Sequence, residues 1–375
     1  MKNRSYLDAH IHLWEYCLFQ SFTDLSKASS FEEVVEMLKS HPLNGWFAGV
    51  RLNQETLVEK TLPDKTFLDK SFGFRPVVIV RTCLHLLIMN TAAMKELNQY
   101  SPTGIFLESD VFSLLNLLVT KLQLSPRQIV ARGLRELENL GIVRAIDMGM
   151  DYFKKGFFDK VDYYTTDFRL LDEALGFKIF LDGGLGARTA ALTEEYTDDP
   201  GNYGVLNYDD QKLLEIIEKV HHKDKPVAVH AIGDRAVDQF LRVIRKSRHP
   251  KDRLEHAQYL RLDQLDALAE LKIPVCIQPI FSKEIPWAVK RLGPERMKTA
   301  YAWNLMLQKG IPLLAGSDAP VDDPNPEVGA RVADALEGNQ HLDLEKTLEL
   351  YSVTNWAFYN WEVEETSTGS RERSG

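Results

Sequence analysis

Pro226-Val-Ala-Val-His-Ala-Ile232, then Gly233-Asp-Arg-Ala-Val-Asp-Gln-Phe-Leu-Arg-Val-Ile-Arg-Lys-Ser-Arg248, then, past a short polar turn, Arg253-Leu-Glu-His-Ala-Gln258, reads as strand, helix, strand. Strand–helix alternation of this kind points to a parallel sheet with crossover helices. The pattern extends in both directions. Tyr6–Leu13, Trp46–Leu52, Arg75–Arg81, Ile142–Met150, Phe177–Asp182, Ile273–Pro279 and Ile311–Asp318 are further apolar, β-branched runs. Helical patterns cover Asp209–His222, Leu262–Leu271 and Met297–Lys309; in the first, Leu213, Leu214, Ile216, Ile217 and Val220 form one stripe. About eight such strands in an α/β chain suggest a closed (β/α)8 TIM-like barrel, which needs about 250 residues. The surplus is expected in insertions at Tyr100–Gln123, with an amphipathic helix around Val111–Leu122, at Leu185–Asn207, and at Phe281–Arg296. A doubly wound open sheet is the alternative. It lacks its glycine fingerprint here, because Gly183-Gly-Leu-Gly186 is followed by Arg188 and Thr189 and not by a third spaced glycine. Residues 1–361 are read as one barrel and 362–375 as a polar, disordered or aberrant tail.

Composition narrows the function. The 375 residues carry 45 Lys plus Arg against 54 Asp plus Glu, a net charge of −9, with 44% apolar and 26% charged residues. That is globular composition with ample core. A net-acidic chain without a basic stretch lacks a phosphate-neutralising surface, so nucleic acid is disfavoured. The start has no signal-peptide pattern, and no apolar run approaches the roughly 20 residues that span a bilayer. Cys17, Cys83 and Cys276 are too scattered for a disulfide framework or a cysteine zinc site. A cytoplasmic chain acting on a small molecule is expected.

Four of the ten histidines end predicted strands: His10, His12, His230 and His256. In a barrel, that face builds the active site. His10 and His12 are two apart on a strand, so both imidazoles point to the same side and can grip one cation. Asp318 ends the last strand in Gly316-Ser-Asp-Ala-Pro. Taken singly, a strand-terminal histidine is a satisfied core residue and a strand-terminal aspartate a helix cap. Together they describe nitrogen and oxygen ligands around an open position, a catalytic transition-metal site and most often zinc. Lys178, in Gly176-Phe-Lys-Ile-Phe-Leu-Asp, is an apolar-flanked amine whose burial would lower its pKa. A neutral amine can take up carbon dioxide as a carbamate that bridges two metals; a salt bridge to Asp182 or Asp147 is the plainer reading.

These residues, in this order, resemble the amidohydrolase superfamily, and within it the amidohydrolase-3 branch of YtcJ-like and N-substituted formamide deformylase-like proteins. The resemblance is carried by Asp8-Ala-His-Ile-His-Leu, Phe177-Lys-Ile-Phe-Leu-Asp-Gly-Gly-Leu-Gly-Ala-Arg-Thr-Ala-Ala-Leu, Val229-His-Ala-Ile-Gly-Asp-Arg-Ala-Val, Arg253-Leu-Glu-His-Ala-Gln and Gly316-Ser-Asp-Ala-Pro-Val. Arg81-Thr-Cys-Leu-His-Leu with Asn90, and Thr354-Asn-Trp-Ala, match more weakly. It implies a TIM-like barrel with one or two divalent metals. By the same resemblance His10, His12 and Asp318 hold the first metal, His230 and His256 the second, and Lys178, as carbamate, bridges them. Asp318 is also the implied general base, taking the proton of the attacking water and passing it to the leaving amine. His85 and Arg188 are candidates to orient substrate or stabilise the oxyanion, Asp182 to orient Lys178 or its loop, and Gln278 to face substrate. Metal-dependent hydrolysis of an amide or cyclic-amide C–N bond leads. A deaminase or esterase on the same site, or an inactive truncated barrel, are the alternatives.

The branch also carries a small β-sandwich built from both chain ends, for which this sequence shows no strand pattern. Lost sandwich contacts would lower stability or drive homo-oligomerisation. Thr366–Arg373, read in a shifted frame with suitable codons, gives Asp-Leu-Asp-Gly-Leu-Glu-Arg, so a frameshift is a hypothesis that the nucleotide sequence decides.

Overall fold

The computed structural model describes residues 4–82, 86–107, 109–149 and 161–363. His85 and the expected tail beyond 363 lie outside the described residues. The chain packs as two compact units: Met1–Leu13, Arg135–Ala319 and Asp323–Gly375 form the first, and Trp14–Leu134 with Pro320–Asp322 the second. The span read from sequence as one barrel contains both.

The first unit is a nearly closed barrel of eight parallel strands: β1 (Tyr6–Ile11), β2 (Ile142–Met148), β3 (Val161–Thr165), β4 (Gly176–Phe180), β5 (Val227–Ala231), β6 (Arg253–His256), β7 (Val275–Ile277) and β8 (Leu313–Ala315). Each pairs with the next in chain order, with Tyr6 opposite Ile142, Ala228 opposite Lys178, and His230 opposite Glu255. The seam between β8 and β1 is held just past the strand ends. There Asp318 N donates to His10 O at 2.7 Å and His12 N donates to Ala319 O at 2.8 Å. Asn355, buried at the start of the short helix Asn355–Phe358, ties the same seam. Its Nδ2 donates to Leu7 O at 2.8 Å and Ala315 O at 2.7 Å, while its Oδ1 accepts from Ala315 N at 3.0 Å. Most of these strands are buried on both faces, which is why β1, β2, β5, β7 and β8 read as largely apolar runs.

Crossover helices follow the sequence pattern. Asp210–His221 is capped by Asp209, whose carboxylate accepts from Lys212 N at 2.7 Å. Asp234–Ile244 buries Ala236, Val237, Phe240, Leu241 and Ile244. Leu262–Leu271 forms as expected, whereas Met297–Lys309 shrinks to Trp303–Gln308 because Tyr301 takes a left-handed φ of 53° just before it.

Two expected barrel strands belong elsewhere. Phe47–Leu52 and Val77–Arg81 lie in the second unit, in a five-stranded sheet ordered Thr23–Asp24, Phe47–Leu52, Val77–Arg81, Leu86–Met89, Ile105–Leu107. Leu25, Leu38, Phe47, Leu68 and Ile79 form its core. Their barrel place is filled by β3, Val161-Asp-Tyr-Tyr-Thr165, which carries a single aliphatic residue and so escapes a search for aliphatic runs. Among the described residues no helix is long and apolar enough to cross a membrane.

Candidate metal centre

The first unit brings the strand-end candidates together. On β1, alternation sends Asp8, His10 and, one step beyond, His12 to the barrel interior. His10 and His12 each place Nε2 3.2 Å from Asp318 Oδ1. The His256 ring lies 4.8 Å from that of His10 and 4.5 Å from that of His230, centre to centre. Ligand atoms of His10, His256 and Asp318 all fall within 4.8 Å of one another. All of these side chains are buried.

Local backbone makes this convergence possible. Glu255 and His256 are neighbours on β6, so regular alternation would send them to opposite faces. His256 instead has φ 70° and Ala257 φ 47°, and this break in the extended backbone lets both side chains face the interior. Asp318 has φ 57°. Left-handed backbone at non-glycine residues costs of order 1–3 kcal/mol each and clusters at functional sites. Gly316 permits the close approach of the two seam strands, since a Cβ there would lie 2.5 Å from His10 Cβ and 2.6 Å from His10 N. Gly316→Ala is expected to destabilise the barrel by about 1–3 kcal/mol, through overpacking that pushes β1 aside. Thermal melting measures the loss; an unchanged Tm would contradict the tight seam.

Three of the imidazoles have an outer partner. His10 Nδ1 faces Glu255 Oε2 at 2.5 Å, and His256 Nδ1 faces Gln278 Oε1 at 2.8 Å. Gln278 therefore orients a histidine and also donates to Cys276 O at 3.3 Å. His230 Nε2 lies 3.2 Å from Gly183 O and 3.4 Å from Asp182 Oδ1. Asp182 is otherwise a backbone staple, accepting from Ala191 N (2.9 Å), Ile232 N (3.0 Å) and Gly233 N (2.9 Å). Asp8 Oδ1 accepts from His10 N at 3.1 Å and Ser317 N at 3.0 Å, tying β1 to the chain after β8.

Lys178 does not make the salt bridge that sequence left open. Asp182 is engaged as above, and Asp147 Oδ2 accepts from Leu13 N at 2.8 Å. Lys178 Nζ has no hydrogen-bond partner among the described residues and lies 4.9 Å from the centre of the Phe180 ring. Burial pushes its pKa down to about 8, against the opposing charges of Glu255 and Asp318. Burial likewise pushes His256 down to about 3. For Asp318 burial works upward, but His10, His12 and His256 hold its carboxyl well below the usual range.

The residue types test well against a divalent ion. His10 Nε2, Asp318 Oδ1 and Lys178 Nζ are all buried without a hydrogen-bond partner among the described residues. Such orphaned groups are costly unless something binds them, and imidazole with carboxylate is a donor set that suits zinc. Arg188, the other candidate for orienting substrate, pairs its guanidinium with Asp198 at 3.1 Å through Nε and 3.0 Å through Nη2. Arg253 and Glu255 carry no role that the sequence assigns; their spacing of two on a buried strand is the available signal.

Imidazoles and a carboxylate gathered at one end of a parallel barrel form a set that could hold a divalent ion. The model of the amidohydrolase family matches residues 6–365, and the chain belongs to that family. YtcJ of Bacillus subtilis (strain 168), which carries the amidohydrolase name, is 30% identical over 383 residues, covering 88% of this chain and 72% of that protein. The protein LONG AFTER FAR-RED 3 of Arabidopsis thaliana is 28% identical over 394 residues, covering 87% and 67%. Among solved structures, an uncharacterised metal-dependent hydrolase from Pyrococcus horikoshii OT3 superposes with a TM-score of 0.79 at 27% identity, covering 97% of this chain and 83% of that one. A second, from Pyrococcus furiosus, gives 0.77 at 28%, covering 98% and 85%.

Proposed function

We propose that the chain hydrolyses a C–N bond, in an amide or cyclic amide of a small molecule, at a divalent metal site in the barrel. The observation that carries this reading is the gathering of ligand atoms of His10, His256 and Asp318 within 4.8 Å of one another, with His10 Nε2 and Asp318 Oδ1 buried and without hydrogen-bond partners among the described residues. His10, His12 and Asp318 would hold one ion, and His230 and His256 a second. Lys178, its amine partly neutral near pH 8, would combine with carbon dioxide, lose a proton, and bridge the two as a carbamate. Zinc is the ion the donor set favours. When bound, such an ion makes a water acidic enough to ionise near neutral pH and polarises a carbonyl.

The chain's own residues do the rest. Asp318 accepts the proton of the attacking water and returns it to the leaving nitrogen, so one carboxylate serves as base and then as acid. Glu255 and Gln278 hold the rings of His10 and His256. Arg188 anchors the loop after β4 through Asp198, and His85 keeps its candidacy for orienting substrate. Three scattered cysteines fit a reducing, cytoplasmic setting.

Metal analysis of the purified chain tests the reading, followed by a screen of N-formyl amines, N-acyl amines and cyclic amides. Esters and amino-substituted heterocycles serve as the esterase and deaminase comparison. At least one ion per chain and turnover of an amide are expected. No bound ion after reconstitution with zinc and bicarbonate would sink the proposal.

A further inference from the structure

Beneath the ligand cluster lies a fully buried ion pair with no place in the proton transfer. Arg253 and Glu255, two apart on β6, both point into the barrel with completely buried side chains. Arg253 Nε donates to Glu255 Oε1 at 2.5 Å, and the other carboxylate oxygen, Oε2, meets His10 Nδ1 at 2.5 Å. The two remaining arms of the guanidinium are also occupied. One Nη donates to Tyr359 Oη at 2.5 Å and the other to Ala9 O at 2.6 Å. A single guanidinium therefore grips His10 twice, through the carbonyl just before it and through the carboxylate that holds its ring. Tyr359 stands one residue past the short helix whose Asn355 ties the β8–β1 seam.

We infer that Glu255, locked by Arg253 and through it by Tyr359, is the positioning residue that fixes His10 as its Nδ1–H tautomer and aims Nε2 at the metal seat. The inference rests on the metal reading above, and adds to it a path from the C-terminal helix to the first ligand. A neutral imidazole carries one N–H. With a carboxylate against Nδ1, an N–H is held there, and Nε2 is the nitrogen left to face Asp318 Oδ1 at 3.2 Å. A divalent ion seated between Nε2 and that carboxylate would take the nitrogen's lone pair, which leaves the single N–H of the neutral ring on Nδ1. A carboxylate outer partner also raises the basicity of the ligating nitrogen, and loss of such partners typically costs 10- to 100-fold in metal affinity.

The test is zinc affinity, measured by competition with a chromophoric chelator, in Arg253→Met/Glu255→Gln and in Tyr359→Phe. Removing both charges together avoids an unpaired buried ion and keeps the volume similar. The double variant is expected to bind zinc about 10- to 100-fold more weakly, with the circular dichroism and melting of the metal-free protein preserved. Tyr359→Phe is expected to lose a few-fold. Unchanged affinity in a folded double variant overturns the inference. Should the double variant fail to fold, nitrogen-15 NMR of histidine-labelled, metal-free wild type decides, with His10 assigned by His10→Gln. A proton on Nδ1 is expected, in the neutral tautomer or in the imidazolium, and an Nε2–H tautomer with bare Nδ1 overturns the inference. Wild type that binds no divalent ion would refute the metal reading instead, and the His10 tautomer would still decide the role of Glu255.

Discussion

Asp318→Asn is expected to lower kcat by roughly 10²- to 10⁴-fold, the range for losing a positioned general base, while leaving the protein folded. The amide matches the carboxylate in shape but cannot accept the water's proton. The backbone favours this substitution as a clean probe. Asp318 sits at φ 57°, and asparagine is among the few residues that tolerate left-handed geometry. Its N–H still donates to His10 O, so the seam survives. Initial rates on the substrate found by screening, with circular dichroism as the folding check, measure the effect. A variant within a few-fold of wild type would remove Asp318 from the proton path and leave it only a ligand.

Lys178→Met carries the second large effect. If the lysine bridges two ions, its loss should reduce bound metal from two ions per chain to one. Affinity for the remaining ion and turnover should then fall by more than the roughly 10- to 100-fold typical of an outer partner. Methionine has similar length without the amine, and the site is walled by Phe180 and buried strand residues, so packing is retained. Metal analysis after dialysis gives the stoichiometry, and carbon-13 NMR after labelled bicarbonate reports a carbamate in wild type alone. One ion per chain in both proteins, with no carbamate signal, would favour a mononuclear site with Lys178 as a bystander.

Much of this centre was legible along the chain because its parts sit at strand ends. The two-residue spacing of His10 and His12 puts them on one side of β1, and His230, His256 and Asp318 each close an apolar run. The barrel class followed from the alternation around Pro226–Gln258. What escaped the sequence has physical reasons. Phe47–Leu52 and Val77–Arg81 are genuine strands, but an apolar run does not say which sheet it joins; they pair within the second unit. β3 is built on tyrosines and not on aliphatic residues. The left-handed turn at His256, which lets adjacent residues face one interior, leaves no trace in periodicity. Arg253 and Glu255 look like the polar half of an alternating strand, and only the barrel shows that this half faces inward.

The three hydrogen bonds of Asn355 have a consequence for biosynthesis. They join Leu7, near the beginning of the chain, to Ala315, and come from a residue synthesised some way after both. Folding during synthesis generally runs from the N-terminus, yet β1 gains this tie only after residue 355 has left the ribosome. His10 and His12, the first of the candidate ligands along the chain, must therefore wait for the helix Asn355–Phe358 to secure them. Cells would load such a centre after translation, and a nascent chain stalled before residue 355 would carry its histidines without a finished seat.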